Sequence, residues 1–324
     1  MTNLLNRTAR ISLLCLTLTL SALAHAAFPD RTIRIVAPAP PGGGIDILSR
    51  TLAERLSAEL GVTVIVENKA GAGGTIGAEY VARQPADGYT ILMGGGFIVV
   101  NPHLNPKIGY NAKEDFAPLS LMGRVPMILV ANPSFPPSTV TELIAYAKSQ
   151  PGGLKYAHGG VGASSHLAGE LFRISTQAEV IPVAYKGNAP ALADVLAGHV
   201  PVIWDTINTA SPMVRAGKLK VMGITSAQRA PSMPQVPTMM ESGLPNFEIS
   251  AWYMLMAPKK TPVDVQQKLS AAIAKSINSP SVLKILGEQG VQIASGTREQ
   301  AEAFFNQQSD YWGDVIRKAG IKAE

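Results

Sequence analysis

The chain has 324 residues, of which 46% are hydrophobic and 16% charged, and its formal net charge is +5. That length is sufficient for one large or two medium domains with a buried core, and the composition is that of a globular protein rather than a repeat or low-complexity chain. A mild positive charge, without a lysine- and arginine-rich run among aromatic residues, argues against nucleic-acid binding.

Residues 1–26 have the pattern of a secretory signal. Two arginines precede a short apolar run over 11–23, and small residues follow as far as Ala26. This order of features predicts export with cleavage after Ala26, and the alternative is an uncleaved anchor. Cleavage would remove both arginines and Cys15, the only cysteine, so the remaining chain would have a net charge of +3 and no thiol. Thiol catalysis, disulfides and cysteine metal sites would then be excluded.

The segment after the predicted signal alternates strands with helices. Runs rich in β-branched residues predict strands over 31–39, 62–68 and 89–95. Leucines at every fourth position predict a helix over 48–60, and a second helix is predicted over 78–84. This alternation is typical of an α/β sheet with largely parallel strands.

A second series begins near residue 127. The predicted strands are 127–134, 154–160, 179–185, 200–206 and 219–225, and the helices are 140–150, 164–173, 262–278, 280–288 and 298–318. The run SAWYMLMAP is interpreted as a buried strand, with Trp252 and Tyr253 in the core. Two series favour two α/β lobes, but chain order alone does not show which lobe the last helices join.

Two glycine-rich loops each lie between a predicted strand and a predicted helix. Gly42, Gly43 and Gly44 precede the first helix, and a second loop over 159–162 precedes Ser164. Unpaired amides and the positive end of a helix meet at such a junction, which suits it to bind an anion. The alternative is a tight turn capped by Asp46. If the two lobes face each other, both loops would meet one ligand in a shared cleft.

Motifs for nucleotides, metals and catalysis are missing from the sequence. Ile47 occupies the sixth position of the first glycine loop, where a dinucleotide fingerprint requires glycine. No nucleophile elbow or metal-binding histidine spacing is present, so we predict no cofactor, no metal and no catalytic residue. His158 and His166 are eight residues apart, so their side chains need not meet, and a solvated or capping role is expected for each.

Three further positions lie at or just after the ends of predicted strands. Asp205 could receive an ammonium or hydroxyl group of a ligand, or cap the next helix. Phe97 could form a wall of the cleft or pack in the core. Lys186, after Tyr185, could pair with an anion, although an exposed lysine is the usual case.

Long stretches of the sequence resemble the periplasmic substrate-binding receptors of tripartite tricarboxylate transporters, the Bug-type receptors. The matching stretches follow one another along nearly the whole chain after the signal, and include RTIRIVAPAPPGGGIDILSRTLAERL, VIVENKAGAGGTIGAEYVA, YAHGGVGASSHLAGELF, VAYKGNAPALADVLAGHV and YWGDVIRKAGI. The resemblance implies an α/β, two-lobed type II periplasmic binding protein that closes like a clamshell, with a mixed sheet flanked by helices in each lobe. It places 27–124 and 228–324 in lobe 1 and 125–227 in lobe 2.

The resemblance also implies binding without catalysis, with a small carboxylate held between the glycine loops of the two lobes. The predicted ligand-binding residues are Pro41, Gly42, Gly43, Gly44, Asp46, Gly95, Phe97, His158, Gly160, Val161, Gly162, Ala163, Ser164, Ser165, Tyr185 and Asp205. Phe97 and His158 stand where smaller residues are expected, which favours a flat or aromatic acid.

We therefore expect a monomeric periplasmic receptor that delivers a dicarboxylate, an amino acid or an aromatic acid to integral-membrane transporter subunits. Two alternatives stay open. One is a receptor that serves signalling without transport. The other is an exported enzyme that uses Asp205 and His158 as an acid/base pair.

Overall fold

The computed structural model describes residues 28–42, 44–288 and 290–321. The predicted signal over 1–26 and the loop residue Gly43 lie outside the described residues. Within them, strands and helices alternate along most of the chain, which confirms the predicted α/β class. No helix in these ranges combines the length and the apolarity that crossing a bilayer requires.

The strands and helices of the described residues have the following bounds. The strands are β1 (Ile33–Ala37), β2 (Val64–Asn68), β3 (Thr90–Gly95), β4 (Phe116–Ala131), β5 (Leu154–His158), β6 (Val180–Ala184), β7 (Val202–Thr206), β8 (Lys220–Ile224), β9 (Ser250–Pro258) and β10 (Gln292–Ile293). The helices are α1 (Gly44–Leu60), α2 (Thr75–Ala82), α3 (Phe97–Leu104), α4 (Ala112–Asp115), α5 (Val140–Ser149), α6 (Ser164–Thr176), α7 (Asn188–Leu196), α8 (Ile207–Arg215), α9 (Val263–Ile277), α10 (Pro280–Glu288) and α11 (Arg298–Ala319).

The strands form one mixed sheet in the order β2-β1-β3-β9-β4-β7-β5-β6, and β8 and β10 also pair with β4. At one end β1 is parallel to β2 and β3, and at the other end β5 is parallel to β6 and β7. Between them, β9 is antiparallel to β3 and β4, and β4 is antiparallel to β7. Two groups of parallel strands are thus joined through two antiparallel strands.

Both faces of the sheet are buried, which explains its continuous apolar runs. Successive residues of a strand point to opposite faces. Accordingly Ile91 and Met93 of β3 pack in one buried cluster, whereas Leu92 packs in the other.

The strand β4 is longer than the sequence pattern predicts. The predicted strand begins at residue 127, but β4 begins at Phe116, because two prolines and a glycine interrupt the apolar run in a way that usually marks loops. Phe116–Pro126 pairs with β9, and Met127–Ala131 pairs with β7 and β8. One strand therefore belongs to both parts of the sheet. The lobe boundary between 124 and 125 falls inside β4, and the division into lobes stays a prediction.

The helix α3 is absent from the sequence prediction. It contains β-branched residues and Pro102, which have low intrinsic helix propensity. Tertiary packing decides the conformation here, since Ile98, Val99 and Val100 are fully buried and α3 lies against α11.

The last helices pack on the half of the sheet that contains β1, β2 and β3. α9 and α10 lie against α1, and α11 lies against β4 and α3. The assignment of 228–324 to lobe 1 nevertheless stays a prediction, like the division into lobes.

Close packing between α6 and β5 depends on a glycine. The fully buried ring of Tyr156 lies so close to Gly169 that a Cβ at this position would be 2.2 Å from two ring atoms. The Tyr156 hydroxyl is within hydrogen-bonding distance of Glu170 Oε1 (3.2 Å) and of the His166 carbonyl oxygen (3.3 Å). These contacts hold the ring in place, so it cannot easily move away from a larger residue.

We expect Gly169→Ala to lower the free energy of unfolding by about 1–3 kcal/mol, because the added methyl group overpacks this contact. Gly287→Ala is the matched control, since Gly287 lies in α10 with no atom within 4 Å of its Cβ position. The control should be neutral or more stable by about 0.5–1 kcal/mol, because alanine favours helix. Urea unfolding followed by circular dichroism measures both variants. Equal stability of the two variants would contradict the packing argument.

Candidate functional site

A cavity of about 700 Å³ opens at the carboxyl ends of the parallel strands. Its wall is formed by the loops that follow β1, β2, β3, β5 and β6, and by the start of β9. Both groups of parallel strands thus end at one cavity, and ligands of open α/β sheets bind at such ends. The wall residues are Pro38–Pro40, Ile45, Gly71–Gly74, Gly95–Phe97, Gly159–Ser164, Tyr185–Gly187 and Ala251–Tyr253.

The helix α6 begins at this cavity without a side-chain cap. Ala163 occupies the cap position and makes no side-chain hydrogen bond, and the first turn contains no acidic residue. The first amides of a helix have no intrahelical acceptor, and they form the positive end of its dipole. Gly162, Ala163 and Ser164 lie on the wall. The start of α6 is therefore suited to receive a carboxylate.

A chain of side-chain hydrogen bonds holds the loop in front of α6. The Gly159 amide donates to Ser165 Oγ (3.0 Å), and the Ser165 hydroxyl donates to Asn188 Oδ1 (2.9 Å). Asn188 Nδ2 in turn donates to Asp205 Oδ1 (2.8 Å). Ser165 is fully buried, and neither Ser165 nor Asp205 lies on the cavity wall. The structure thus places both residues behind the wall, where they can position the loop.

Asp205 accepts hydrogen bonds from the start of α8 as well. Its carboxylate accepts from the Thr206 amide (2.8 Å) and from the Thr209 hydroxyl (2.8 Å). Burial raises the pKa of Asp205, and the three hydrogen bonds act in the opposite direction. Asp205 was considered either as a ligand contact or as a cap of the following helix, and these contacts match the role at the start of the helix.

The side chains of the two histidines beside this loop meet, which their spacing of eight residues does not require. Their rings lie 4.6 Å apart, and both side chains are buried. His158 Nδ1 accepts from the Gly160 amide (3.2 Å), and His166 Nδ1 accepts from the Gly162 amide (3.2 Å). Their rings come together because the loop between them folds back on the first turn of α6. His158 is not on the cavity wall.

The first glycine loop is held by hydrogen bonds to the buried carboxylate of Asp46. The Gly42 amide donates to Asp46 Oδ2 (2.9 Å), and Asn68 Nδ2 donates to Asp46 Oδ1 (2.9 Å). Arg50 forms an ion pair with the same carboxylate at 3.0 Å, and its hydrogen bond is the main cause that lowers the pKa of Asp46 to about 2. The buried Asp46 is therefore ionised and satisfied within the protein. Pro41, Gly42 and Gly44 flank the cavity rather than line it.

The Phe97 ring lies on the cavity wall and packs closely against two glycines. A Cβ at Gly74 would lie 2.7 Å from the Phe97 ring, and a Cβ at Gly95 would lie 3.3 Å from it. A side chain at Gly74 would clash with the ring, and one at Gly95 would press tightly against it, so both glycines favour this position of Phe97. The structure brings Phe97 and Gly95 together with the residues 160–164, as the predicted site requires.

Several wall residues were not in the predicted site. The loop Gly71–Gly74 after β2 lies on the wall, and its four residues all have positive φ. Trp252 is buried in the core as expected, and both Trp252 and Tyr253 also reach the wall, because β9 is antiparallel to β3 and so begins at the edge where the parallel strands end. A Cβ at Gly44 would lie 3.9 Å from the Tyr253 hydroxyl, which places this hydroxyl beside the start of α1.

The two tyrosines on the wall differ in their hydroxyl groups. The Tyr185 hydroxyl donates to Asp194 Oδ2 (2.6 Å), and this bond raises the pKa of Tyr185 to about 12. The Tyr185 hydroxyl is thus already bonded within the protein, and the Tyr185 ring is the part that can contact a ligand in the cavity. Burial raises the pKa of Tyr253 to about 12, so its hydroxyl is protonated and can donate to a ligand.

Comparison with known proteins relates the chain to one family. A family model described as tripartite tricarboxylate transporter family receptor matches residues 48–321. The solved structure of Rpa4515 from R. palustris with adipate is 34% identical in sequence, with a TM-score of 0.83 over 91% of this chain and 99% of that one. The periplasmic binding protein BugD is 35% identical, with a TM-score of 0.82 over 92% and 100% of the two chains.

A third solved structure is similar along its whole length. MatC from Rhodopseudomonas palustris, with bound malate, is 32% identical and has a TM-score of 0.79 over 89% of this chain and 100% of that one.

The stability of the loop should depend on pH through His166. Burial, together with the neighbouring His158, lowers the pKa of His166 from 6.5 to about 4. Between these values the unfolded chain binds a proton that the folded protein excludes, so stability should fall as the pH falls from 6.5 to 4. The loss approaches about 3 kcal/mol at the lower limit.

Urea unfolding across this pH range measures the effect. His166→Asn keeps an acceptor for the Gly162 amide and removes the titration, so this variant should show a flatter pH dependence than the unmodified protein. Identical slopes for the two proteins would show that His166 is not the group responsible.

Proposed function

The chain belongs to the tripartite tricarboxylate transporter receptor family, and on this premise we propose that it captures a small carboxylate in the cavity described above and delivers it to a membrane transporter. The observation that carries the proposal is the uncapped start of α6 on the wall of a cavity of about 700 Å³. A carboxylate at this point would accept hydrogen bonds from amides that lack intrahelical acceptors.

The energies are sufficient for a receptor. Each hydrogen bond to a charged group contributes about 1.5–3 kcal/mol, and a helix end adds roughly 0.3–1 kcal/mol. About five such bonds could provide the roughly 8 kcal/mol of a micromolar complex after the ligand has lost its freedom of motion. Solved relatives hold adipate and malate, which supports a carboxylate as the ligand class.

Family membership supports a periplasmic location and a role in binding rather than catalysis. We propose that the protein is a monomer that closes two lobes, 27–124 with 228–324 and 125–227, around the ligand. The closed form then docks on integral-membrane transporter subunits. A receptor that signals without transport would use the same cavity. The protein on which the closed form docks, a transporter or a sensor, distinguishes a transport receptor from a signalling receptor.

The arrangement of His158 and Asp205 favours a receptor over the enzyme alternative. Both side chains are buried, both hold loop or helix amides, and neither lies on the cavity wall. A general acid or base must come within hydrogen-bonding reach of the reacting group.

Thermal unfolding against a panel of mono-, di- and tricarboxylic acids, amino acids and aromatic acids tests the proposal, with NAD and ATP as controls. A ligand at about one hundred times its dissociation constant should stabilise the protein by about 2.7 kcal/mol. The bound acid should be recovered unchanged. Chemical conversion of the acid would support the enzyme, and stabilisation by none of the acids would overturn the receptor.

Ser164 at the start of α6 offers a pair of matched variants. Ser164→Asp should weaken binding of the best acid by at least about ten-fold, because the new carboxylate occupies the helix end. Ser164→Asn has the same size without the charge and should weaken binding by much less. Isothermal titration measures both affinities, and melting temperatures show whether the variants fold. Equal effects of the two substitutions would contradict a carboxylate site at α6.

A further inference from the structure

The side chain of Asn101 lies between two glycine loops of the cavity wall. One loop, over 71–74, follows β2, and the other, over 159–162, follows β5. These strands belong to the two groups of parallel strands at opposite ends of the sheet. Asn101 itself lies in α3 and is not on the wall. It therefore occupies a place where the two halves of the sheet meet beside the cavity.

Asn101 is joined to the first of these loops by hydrogen bonds. Its Nδ2 donates to the Gly73 carbonyl oxygen (3.3 Å) and to Thr75 Oγ1 (3.0 Å). Thr75 is the first residue of α2, so the two bonds connect α3 with the loop and with the helix that follows it. Because both bonds start from one nitrogen, they fix the orientation of the planar side-chain amide, and with it the position of Oδ1.

Asn101 also lies close to the second loop, at Gly162. A Cβ at Gly162 would lie 2.9 Å from Asn101 Oδ1 and 2.9 Å from Leu104 Cδ1. Gly162 has a φ of +80°, which residues with a Cβ rarely adopt. Val161 packs against the same buried cluster that contains Leu104. The second loop thus rests directly on α3, and the glycine permits this close approach.

We propose that Asn101 is a positioning residue, which keeps the two glycine loops close enough together for a bound acid to contact both. The inference rests on the proposed function and on its closure of two lobes. When the lobes part, the bonds to Gly73 and Thr75 stay within one lobe, whereas the contact with Gly162 must break. Asn101 therefore favours the closed arrangement and slows release of the acid, without contacting the acid itself.

The binding kinetics of Asn101→Ala test the proposal. Adipate and malate, which relatives hold, and the strongest acid of the panel above serve as probes. Stopped-flow tryptophan fluorescence, to which the wall residue Trp252 contributes, reports binding. The dissociation rate constant should rise by at least about five-fold while the association rate constant changes by less than about two-fold, because affinity differences at one site lie mostly in dissociation. Alanine favours helix more strongly than asparagine, so α3 itself should not be weakened.

Two further variants separate positioning from a general loss of structure. Asn105→Ala is the matched control, since Asn105 directly follows α3 and its side chain accepts from the Lys107 amide. This control should leave both rate constants unchanged. Thr75→Val keeps the size of the side chain and removes the acceptor of one bond, so it should raise the dissociation rate constant by about two- to five-fold. Added to Asn101→Ala, it should have no further effect, because the bond is already absent.

The outcomes distinguish this inference from the receptor itself. Binding of no acid by the unmodified protein overturns the receptor, and the inference with it. Equal dissociation rate constants for Asn101→Ala and the unmodified protein overturn the positioning role and leave the receptor intact. A loss of affinity that lies in the association rate constant also overturns this role, as does a full effect of Thr75→Val when it is added to Asn101→Ala.

Discussion

A chain of hydrogen bonds behind the cavity wall fixes the position of the loop on which the site depends. It runs from the Gly159 amide through Ser165 and Asn188 to Asp205, and so links the ends of β5 and β7 with the starts of α6 and α7. Buried polar groups that are fully paired make a structure rigid. Because this chain and the two histidines satisfy the loop, none of these side chains caps the start of α6.

The two glycine loops have different electrostatic roles, although their sequences look alike. The first encloses its own carboxylate, Asp46, whereas the second leads into a helix with neither a cap nor an acidic first turn. The start of α1 is thus filled by the protein, whereas the start of α6 is available for a ligand.

The sequence was a good guide wherever local pattern and tertiary packing agree. The strands predicted over 31–39, 62–68 and 89–95 were found as β1, β2 and β3, and helices follow both glycine loops. Local pattern failed for α3, whose residues form a helix only because they are buried against α11, and for the first part of β4, where prolines hide a strand. Most predicted loop residues reach or flank the cavity, but Asp205 and His158 lie behind its wall.

The sequence by itself determined the α/β class, the glycine loops at strand ends and the family resemblance, because periodicity, turn residues and long motifs are local properties of the chain. Only the tertiary structure decided that β9 brings Tyr253 to the cavity, that Asp46 neutralises the start of α1, and that the two histidine rings lie 4.6 Å apart. These contacts join residues from different elements or from the two ends of a folded loop. Their distances depend on how the backbone is packed, and residue spacing does not encode them.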